Sequence, residues 1–197
     1  MGDWFQVIAD VRAAPEEAER LAADVRAWLV SSGIVAPGRT GCVYGAGSGH
    51  RPGPRAGEVV RDPGWAPSWR DLEVNGLAVV TGRTVFDTGQ GDPAAVCCPH
   101  CGVWTQLVDE DFELLDGPWE LFGPVVHGWG EGREVVVGCP ACGRPVEPAG
   151  WRWADDCLAL AHLGFVFWNW PPLRPEFTAE FARRLGGHRT VLLEGKL

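Results

Sequence analysis

The sequence predicts an α+β fold in which a cysteine-rich segment interrupts a sheet-forming domain. Three observations predict it: apolar runs of strand character, two stretches with helical spacing, and two Cys-Pro-x-Cys-Gly motifs between them. The expected order is strand, helix, strand, cysteine-rich segment, strand, helix, strand. We therefore expect a discontinuous α+β domain over residues 1–95 and 155–197, with residues 96–154 inserted into it.

The first strand and the first helix are predicted near the start of the chain. Residues 4–11 are mostly apolar, which is typical of a central strand in a sheet. Pro15 then suits the first turn of a helix. Because Leu21, Val25 and Leu29 recur at helical spacing, this helix is expected to pack on the sheet.

The chain between residues 36 and 70 is rich in glycine, proline and arginine and predicts a long loop. Loops of this length within a compact domain are usually functional or disordered, so Ser48, His50 and Arg51 are candidate ligand-binding residues. A dinucleotide fingerprint would need glycine where His50 stands, and the Lys-Ser/Thr pair of a phosphate-binding loop is missing. Nucleotide binding is therefore disfavoured, and a surface loop without a ligand remains the alternative.

Three more strands and a second helix complete the predicted domain. The strands are expected at residues 77–86, 158–170 and 190–193. Phe177, Phe181 and Leu185 stand at i, i+4 and i+8, which predicts the helix. This order resembles the ferredoxin-like βαββαβ arrangement, which implies an antiparallel sheet with two helices on one face. A different α+β sheet is the alternative.

Two cysteine motifs of the same form indicate a metal site. They are Cys98-Pro99-His100-Cys101-Gly102 and Cys139-Pro140-Ala141-Cys142-Gly143, and each supplies two thiolates from one tight turn. Zinc in structural sites takes four such ligands tetrahedrally, at about 2.3 Å. The predicted ligands of one structural Zn²⁺ are Cys98, Cys101, Cys139 and Cys142.

The paired motifs resemble the knuckles of a zinc ribbon, in which two β-hairpin turns clasp one zinc ion. The resemblance covers residues 96–154 and implies a structural metal. The stretch between Cys101 and Cys139 is long for a minimal ribbon, so residues 109–131 are expected to leave its hairpins as an excursion. Ribbons occur in nucleic-acid binders, enzymes and interaction modules alike, so the resemblance leaves the function open.

Other roles for the cysteines are weaker. A catalytic zinc keeps an open position, and His100 or His127 would then have to replace a thiolate. A thioredoxin-like redox motif occurs once, between a strand and a helix, rather than twice with following glycines. Cys97 is out of register with the second motif, and Cys42 and Cys157 are expected to be small buried side chains.

Composition limits the class of partner and the location. The net charge is −9, which disfavours binding to nucleic-acid phosphates. No stretch reaches the roughly 18 apolar residues of a membrane span, and cysteines in metal spacing suit a reducing compartment, so we expect a cytoplasmic protein. Lys196 is the only lysine, and this usage together with abundant Ala, Gly and Pro is typical of a high-GC bacterial genome.

An acidic and aromatic stretch is the candidate for protein recognition. Carboxylates alternate with apolar side chains from Asp109 to Glu120, a composition that suits a basic protein partner. The candidate partner-binding residues are Asp109, Glu110, Asp111, Phe112, Glu113 and Trp119. The alternative is an amphipathic helix or turn whose acidic side faces water.

The sequence favours a zinc-stabilised, non-enzymatic protein-binding protein, such as an adaptor or the inhibitor of a basic protein. The alternative is an enzyme or enzyme subunit that binds a small molecule between loop 45–54 and the aromatic strand end at Trp168–Trp170. A nucleic-acid-associated ribbon is a third hypothesis, which the charge disfavours. The sequence has no Gly-x-Ser-x-Gly hydrolase motif and gives no indication of oligomeric state.

Overall fold

The structure is a computed structural model that describes residues 2–45, 47–64, 68–133 and 135–197. Within these ranges the chain has a mixed α/β architecture with three α-helices and a largely antiparallel main sheet, and no helix is long and apolar enough to cross a membrane. The elements are β1 Trp4–Asp10, α1 Pro15–Ser31, β2 Val35–Thr40, β3 Gly49–Pro52, β4 Gly76–Asp87, β5 Ala95–Cys97, β6 Trp104–Gln106, α2 Asp116–Gly130, β7 Val137–Gly138, β8 Pro145–Val146, β9 Arg152–Trp153, β10 Leu158–Trp168, α3 Pro175–Arg184 and β11 Thr190–Lys196.

Six strands form the main sheet in the order β11-β1-β10-β4-β3-β2, and each neighbouring pair is antiparallel. The four strands predicted from apolar runs correspond to β1, β4, β10 and β11. β1 lies between β10 and β11, so its residues have neighbours on both sides and on both faces. This position explains why its sequence is mostly apolar on both faces instead of alternating between apolar and polar.

Helices α1 and α3 pack on the same face of the sheet. Successive side chains of a strand point to opposite faces, and Ile8 and Val7 accordingly belong to two different buried clusters. The cluster of Ile8 contains Leu21, Val25, Leu29, Leu163, Phe165, Phe177, Phe181 and Leu185. Between the helices, the ring of Trp28 stacks on that of Phe177 with centroids 5.8 Å apart.

The prediction of a long loop between residues 36 and 70 is wrong in part, because β2 and β3 form a hairpin at the edge of the sheet. β3 joins β4 through the pair His50 and Leu77. Two of the glycines that indicated a loop, Gly49 and Gly53, serve close packing. A Cβ on Gly53 would collide with the carbonyl oxygen of Gly33. Residues 65–67 of the predicted loop lie outside the described residues.

The cysteine-rich segment packs against the ends of β4 and β10. β5, β6 and β9 form a three-stranded sheet, and β7 and β8 form a hairpin. Phe122, Val125 and Trp129 of α2 share one buried cluster with Leu158 and Leu160 of β10. The expected excursion at residues 109–131 is therefore a turn followed by α2, and this helix forms part of the segment's core.

Candidate metal centre and surface sites

The two cysteine motifs form equivalent turns, one at the end of hairpin β5–β6 and the other at the end of hairpin β7–β8. In the first turn, the N–H of Gly102 donates to the carbonyl of Cys98 at 3.0 Å. In the second, the N–H of Gly143 donates to the carbonyl of Cys139 at 2.8 Å. The two glycines have φ of 73° and 71°, a backbone region that side-chain-bearing residues rarely adopt.

The two turns bring four sulfur atoms within 4.8 Å of one another. The sulfurs of Cys98 and Cys142 are 3.9 Å apart, and those of Cys101 and Cys139 are 3.8 Å apart. A tetrahedron with metal–sulfur bonds of about 2.3 Å has edges of about 3.8 Å. The four cysteines can therefore hold one metal ion at their centre.

The turns stabilise some of the thiolates more than others. Burial raises the pKa of Cys139, but the N–H groups of Cys142 and Ala141 outweigh it and lower this pKa to about 7. The N–H of Val103 lowers the pKa of Cys101, but desolvation and hydrogen bonds with the neighbouring thiols raise it to about 12. Ionising all four thiols at neutral pH therefore needs the positive charge of a metal ion.

Metal binding by the metal-free protein is expected to release protons and to strengthen as the pH rises. With a pKa of about 12, the Cys101 thiol is protonated at neutral pH and must lose its proton to bind a metal. Below the Cys139 pKa of about 7, this second thiol is also protonated, so the affinity should fall more steeply. Calorimetric zinc titrations in buffers of different ionisation enthalpy count the released protons. A binding heat that is independent of the buffer would contradict this expectation.

The neighbouring cysteines and histidines lie outside the sulfur cluster. Cys42 and Cys97 are fully buried, and the sulfur of Cys97 accepts a hydrogen bond from Nη2 of Arg152 at 2.8 Å. The Nε2 atom of His100 lies 3.1 Å from the carbonyl oxygen of Pro145. Among the residues that the structure describes, the metal-ligand cluster thus consists of cysteines alone.

The candidate partner-binding residues Asp109 to Glu113 form a tight turn. The Oδ1 atom of Asp109 accepts the N–H groups of Asp111 at 2.9 Å and Glu113 at 3.0 Å. The N–H of Asp109 in turn donates to the carbonyl of Glu113 at 2.9 Å. Phe112 stands in this turn at φ 63°, and its side chain is 84% exposed. The turn therefore fixes the backbone at Phe112 and leaves its aromatic side chain in water.

Phe112 also lines an acidic cleft of about 630 Å³. Carboxylates of Asp92, Asp155 and Glu194 line the same cleft, and no arginine, lysine or histidine of the described residues does. Cys157, expected to be buried, is half-buried at its wall, and burial raises the pKa of its thiol to about 11. The cleft and the turn together form one negatively charged surface.

Trp119 is half-buried against the core of the cysteine-rich segment and lies in α2, outside the turn. Trp119 and His127 lie two turns apart on α2, and their rings meet edge to face with centroids 6.3 Å apart. A Cβ on Gly123, between them, would lie 3.1 Å from the Trp119 ring, so this glycine makes room for the indole. Sequence reasoning grouped Trp119 with Phe112 because both are aromatic and close in sequence. In the structure the half-buried tryptophan lies on α2 and the exposed Phe112 lies in the turn.

The other predicted ligand-binding residues lie only partly together. Ser48 and His50 line a cleft of about 260 Å³ between α1 and the edge strands, with Arg26 and Arg39. His50 is buried, with Nδ1 2.8 Å from the carbonyl oxygen of Ala36. Its ring is therefore held by the β2–β3 hairpin.

Arg51 and the aromatic strand end lie away from this cleft. Nη1 of Arg51 donates to the carbonyl of Leu72 at 2.7 Å. Trp170 is buried in the main core, with its ring centroid 5.4 Å from that of Trp69. The enzyme hypothesis expected Ser48, His50 and Trp170 at one site, and these residues do not line a common cleft in the described structure.

One charged cleft was not predicted from the sequence. Arg12, Arg152 and Arg189 line it together, beside the first cysteine turn. They are far apart in the chain and form no motif, so only the folded structure brings them to one place.

Comparisons with known protein families, curated proteins and solved structures find no match to this chain. The class of protein is therefore defined by fold and site alone: a mixed α/β protein with a four-cysteine cluster that can bind a metal ion.

Proposed function

We propose that this is a zinc-stabilised, non-enzymatic binding protein whose acidic turn, Asp109 to Glu113, docks a basic protein partner. The observation that carries the proposal is Phe112, which is 84% exposed in a hydrogen-bonded turn at the edge of an acidic cleft. Aromatic side chains supply much of the binding energy of protein interfaces. Surrounding charges speed the approach of a partner of opposite charge and disfavour partners of like charge. Because the turn holds the backbone at Phe112 in place, little backbone entropy remains to be lost on binding.

Zinc is the metal proposed for the four-cysteine cluster. Sulfur–sulfur distances of 3.8 and 3.9 Å suit tetrahedral zinc, and the hairpin turns have the form of zinc-ribbon knuckles. Four thiolates leave no open coordination position for water, so the role assigned to the ion is structural. Such a thiol site persists in a reducing compartment, which favours the cytoplasm.

The zinc site supports the acidic turn through the intervening backbone. β6 follows the first cysteine turn, and the N–H of Leu115 donates to the carbonyl of Leu107 just beyond β6, at 2.8 Å. Val108 and Leu114 form a β-bridge that closes the base of the acidic turn. A metal-held hairpin therefore continues directly into the proposed docking turn.

The proposed frame is a ferredoxin-like domain, residues 1–95 and 155–197, with a zinc ribbon at residues 96–154. Its support is the strand order, in which β10 lies between β1 and β4 while β1 lies between β10 and β11. Helix α3 connects β10 to β11, which are separated by β1, as in a split βαβ unit. Helix α1 leads through the β2–β3 hairpin to β4, which is separated from β1 by β10. The ribbon occupies the connection between β4 and β10.

Two variants of the turn test the proposal. Phe112→Ser removes the aromatic anchor, and a triple variant (Glu110→Gln, Asp111→Asn, Glu113→Gln) removes exposed charge. Asp109 stays unchanged because its carboxylate builds the turn. We expect Phe112→Ser to weaken binding of the purified partner by about tenfold or more, mainly through faster dissociation. The triple variant should slow association, as added salt should in the wild type.

The partner is first identified by co-purification from the native host and is then measured in pure form. A matched control carries the same charge change elsewhere on the exposed surface: Glu16→Gln, Asp71→Asn and Glu73→Gln. This control should bind like the wild type, and all variants should keep their metal and melting temperature. Equal affinity of the wild type and both turn variants would remove the proposal.

A further inference from the structure

A cleft of about 550 Å³ lies between the first cysteine turn and the main sheet. Three guanidinium groups line it, from Arg12 after β1, Arg152 in β9 and Arg189 before β11. In a chain of net charge −9, this is a local concentration of positive charge. It is separate from the acidic surface around Phe112, with which it shares no lining residue.

The guanidinium groups are largely without partners inside the protein. In the part of the chain that the structure describes, the side chains of Arg12 and Arg189 make no hydrogen bond or ion pair, and Arg152 donates one hydrogen bond to the sulfur of Cys97. Burial lowers the pKa of Arg189, and the positive charges of Arg152 and Arg12 lower it further. The negative charge of Asp156 opposes this shift only in part. Arg12 and Arg152 are exposed and Arg189 is half-buried. Grouped cations of this kind gain from an anion placed between them.

The remaining walls indicate what else the ligand contains. One carboxylate, Glu147, faces the arginines, and apolar surface comes from Pro99, Pro145, Val146 and Ala149. A cleft of about 550 Å³ is in the usual range for small-molecule sites and is too large for a lone inorganic anion. The ligand should therefore combine an anionic head with a larger body that has apolar surface.

We propose that this cleft binds an organic phosphate monoester. The phosphate lies against Arg12, Arg152 and Arg189, and the organic group lies against Val146 and Ala149. Guanidinium groups match the oxygens of a phosphate bidentately, and a terminal monoester offers three oxygens to three arginines. The site goes beyond the proposed protein docking and uses none of its residues.

Titration of the metal-loaded full chain with model ligands tests the site. Phenyl phosphate supplies the anionic head and an apolar body, inorganic phosphate supplies the head alone, and benzyl alcohol supplies the body alone. We expect phenyl phosphate to bind about tenfold more tightly than inorganic phosphate, and benzyl alcohol not to bind. Tighter binding of a single-stranded oligonucleotide than of phenyl phosphate would overturn the small-molecule assignment. No saturable binding of phenyl phosphate up to about 10 mM would overturn the site itself.

Substitutions locate the binding. Arg12→Gln and Arg189→Gln should each weaken phenyl phosphate about tenfold, because each removes charge-assisted hydrogen bonds. Arg20→Gln is the matched control, since Arg20 is exposed on α1 and pairs with Asp24, and it should leave the affinity unchanged. If instead the arginines only offset the charge of the metal–thiolate cluster, the two variants would lose metal while binding phenyl phosphate as the wild type does. That result, or unchanged affinity in both variants, would overturn the proposal.

Discussion

Cys98→Ser and Cys142→Ser should each abolish metal binding and unfold the cysteine-rich segment. Structural zinc contributes on the order of 10 kcal/mol to the folding of small metal-held modules, far more than a single packing contact. Cys98 is buried with Phe122 and Trp129, whereas Cys142 is exposed. The two variants should nevertheless lose a similar amount of stability, because the missing metal ligand has a larger effect than the change in packing. Metal analysis and thermal unfolding measure the two outcomes.

Cys157→Ser is the matched control for these two variants. Cys157 is half-buried and lies outside the sulfur cluster, so its substitution should keep the full metal content and change the melting temperature little. If the Cys142→Ser protein retained the metal and melted like the wild type, the four-cysteine assignment would be wrong.

The features that the sequence predicted well are those encoded within a few residues. A Cys-x-x-Cys turn places its two sulfurs through local hydrogen bonds, as those of Gly102 and Gly143 illustrate, so the cysteine cluster follows from spacing alone. The helices α1 and α3 follow from apolar side chains at helical spacing, and β1 and β10 follow from runs of mostly apolar residues.

The features that the sequence did not predict depend on contacts between distant residues. Gly53, next to β3, packs directly against the backbone of Gly33. From the sequence alone, such a glycine is indistinguishable from a loop residue. The exposure of Phe112 depends on the Asp109 carboxylate, which closes the turn. Local composition therefore identified the acidic stretch but could not separate its exposed phenylalanine from the half-buried Trp119.

Asp10 is a buried charge that has no recognisable motif in the sequence. It ends the apolar strand β1 and is 0% exposed. Its Oδ1 atom accepts the N–H groups of Arg12 and Ala13, both at 3.0 Å. Its Oδ2 atom lies 2.9 Å from Nδ1 of His188, which precedes β11. One carboxylate thus links the β1–α1 connection to the α3–β11 connection.

Asp10→Ala is therefore expected to lower the free energy of unfolding by about 3 kcal/mol or more, because it leaves three donors without their acceptor. Native domains are stable by only about 5–15 kcal/mol, so the shift should be large in urea unfolding curves. Asp24→Ala is the matched control. Asp24 is exposed and pairs with Arg20 on the surface of α1, so its loss should cost less than about 1 kcal/mol.

A double-mutant cycle with His188→Ala separates the histidine from the backbone donors. If the Asp10–His188 contact is coupled, the double variant should lose less stability than the two single variants added together. Strict additivity would mean that Asp10 acts only through the N–H groups of Arg12 and Ala13. In that case the carboxylate would stabilise the turn into α1 without linking it to the strand that follows α3. A cost of Asp10→Ala no larger than that of Asp24→Ala would contradict both readings.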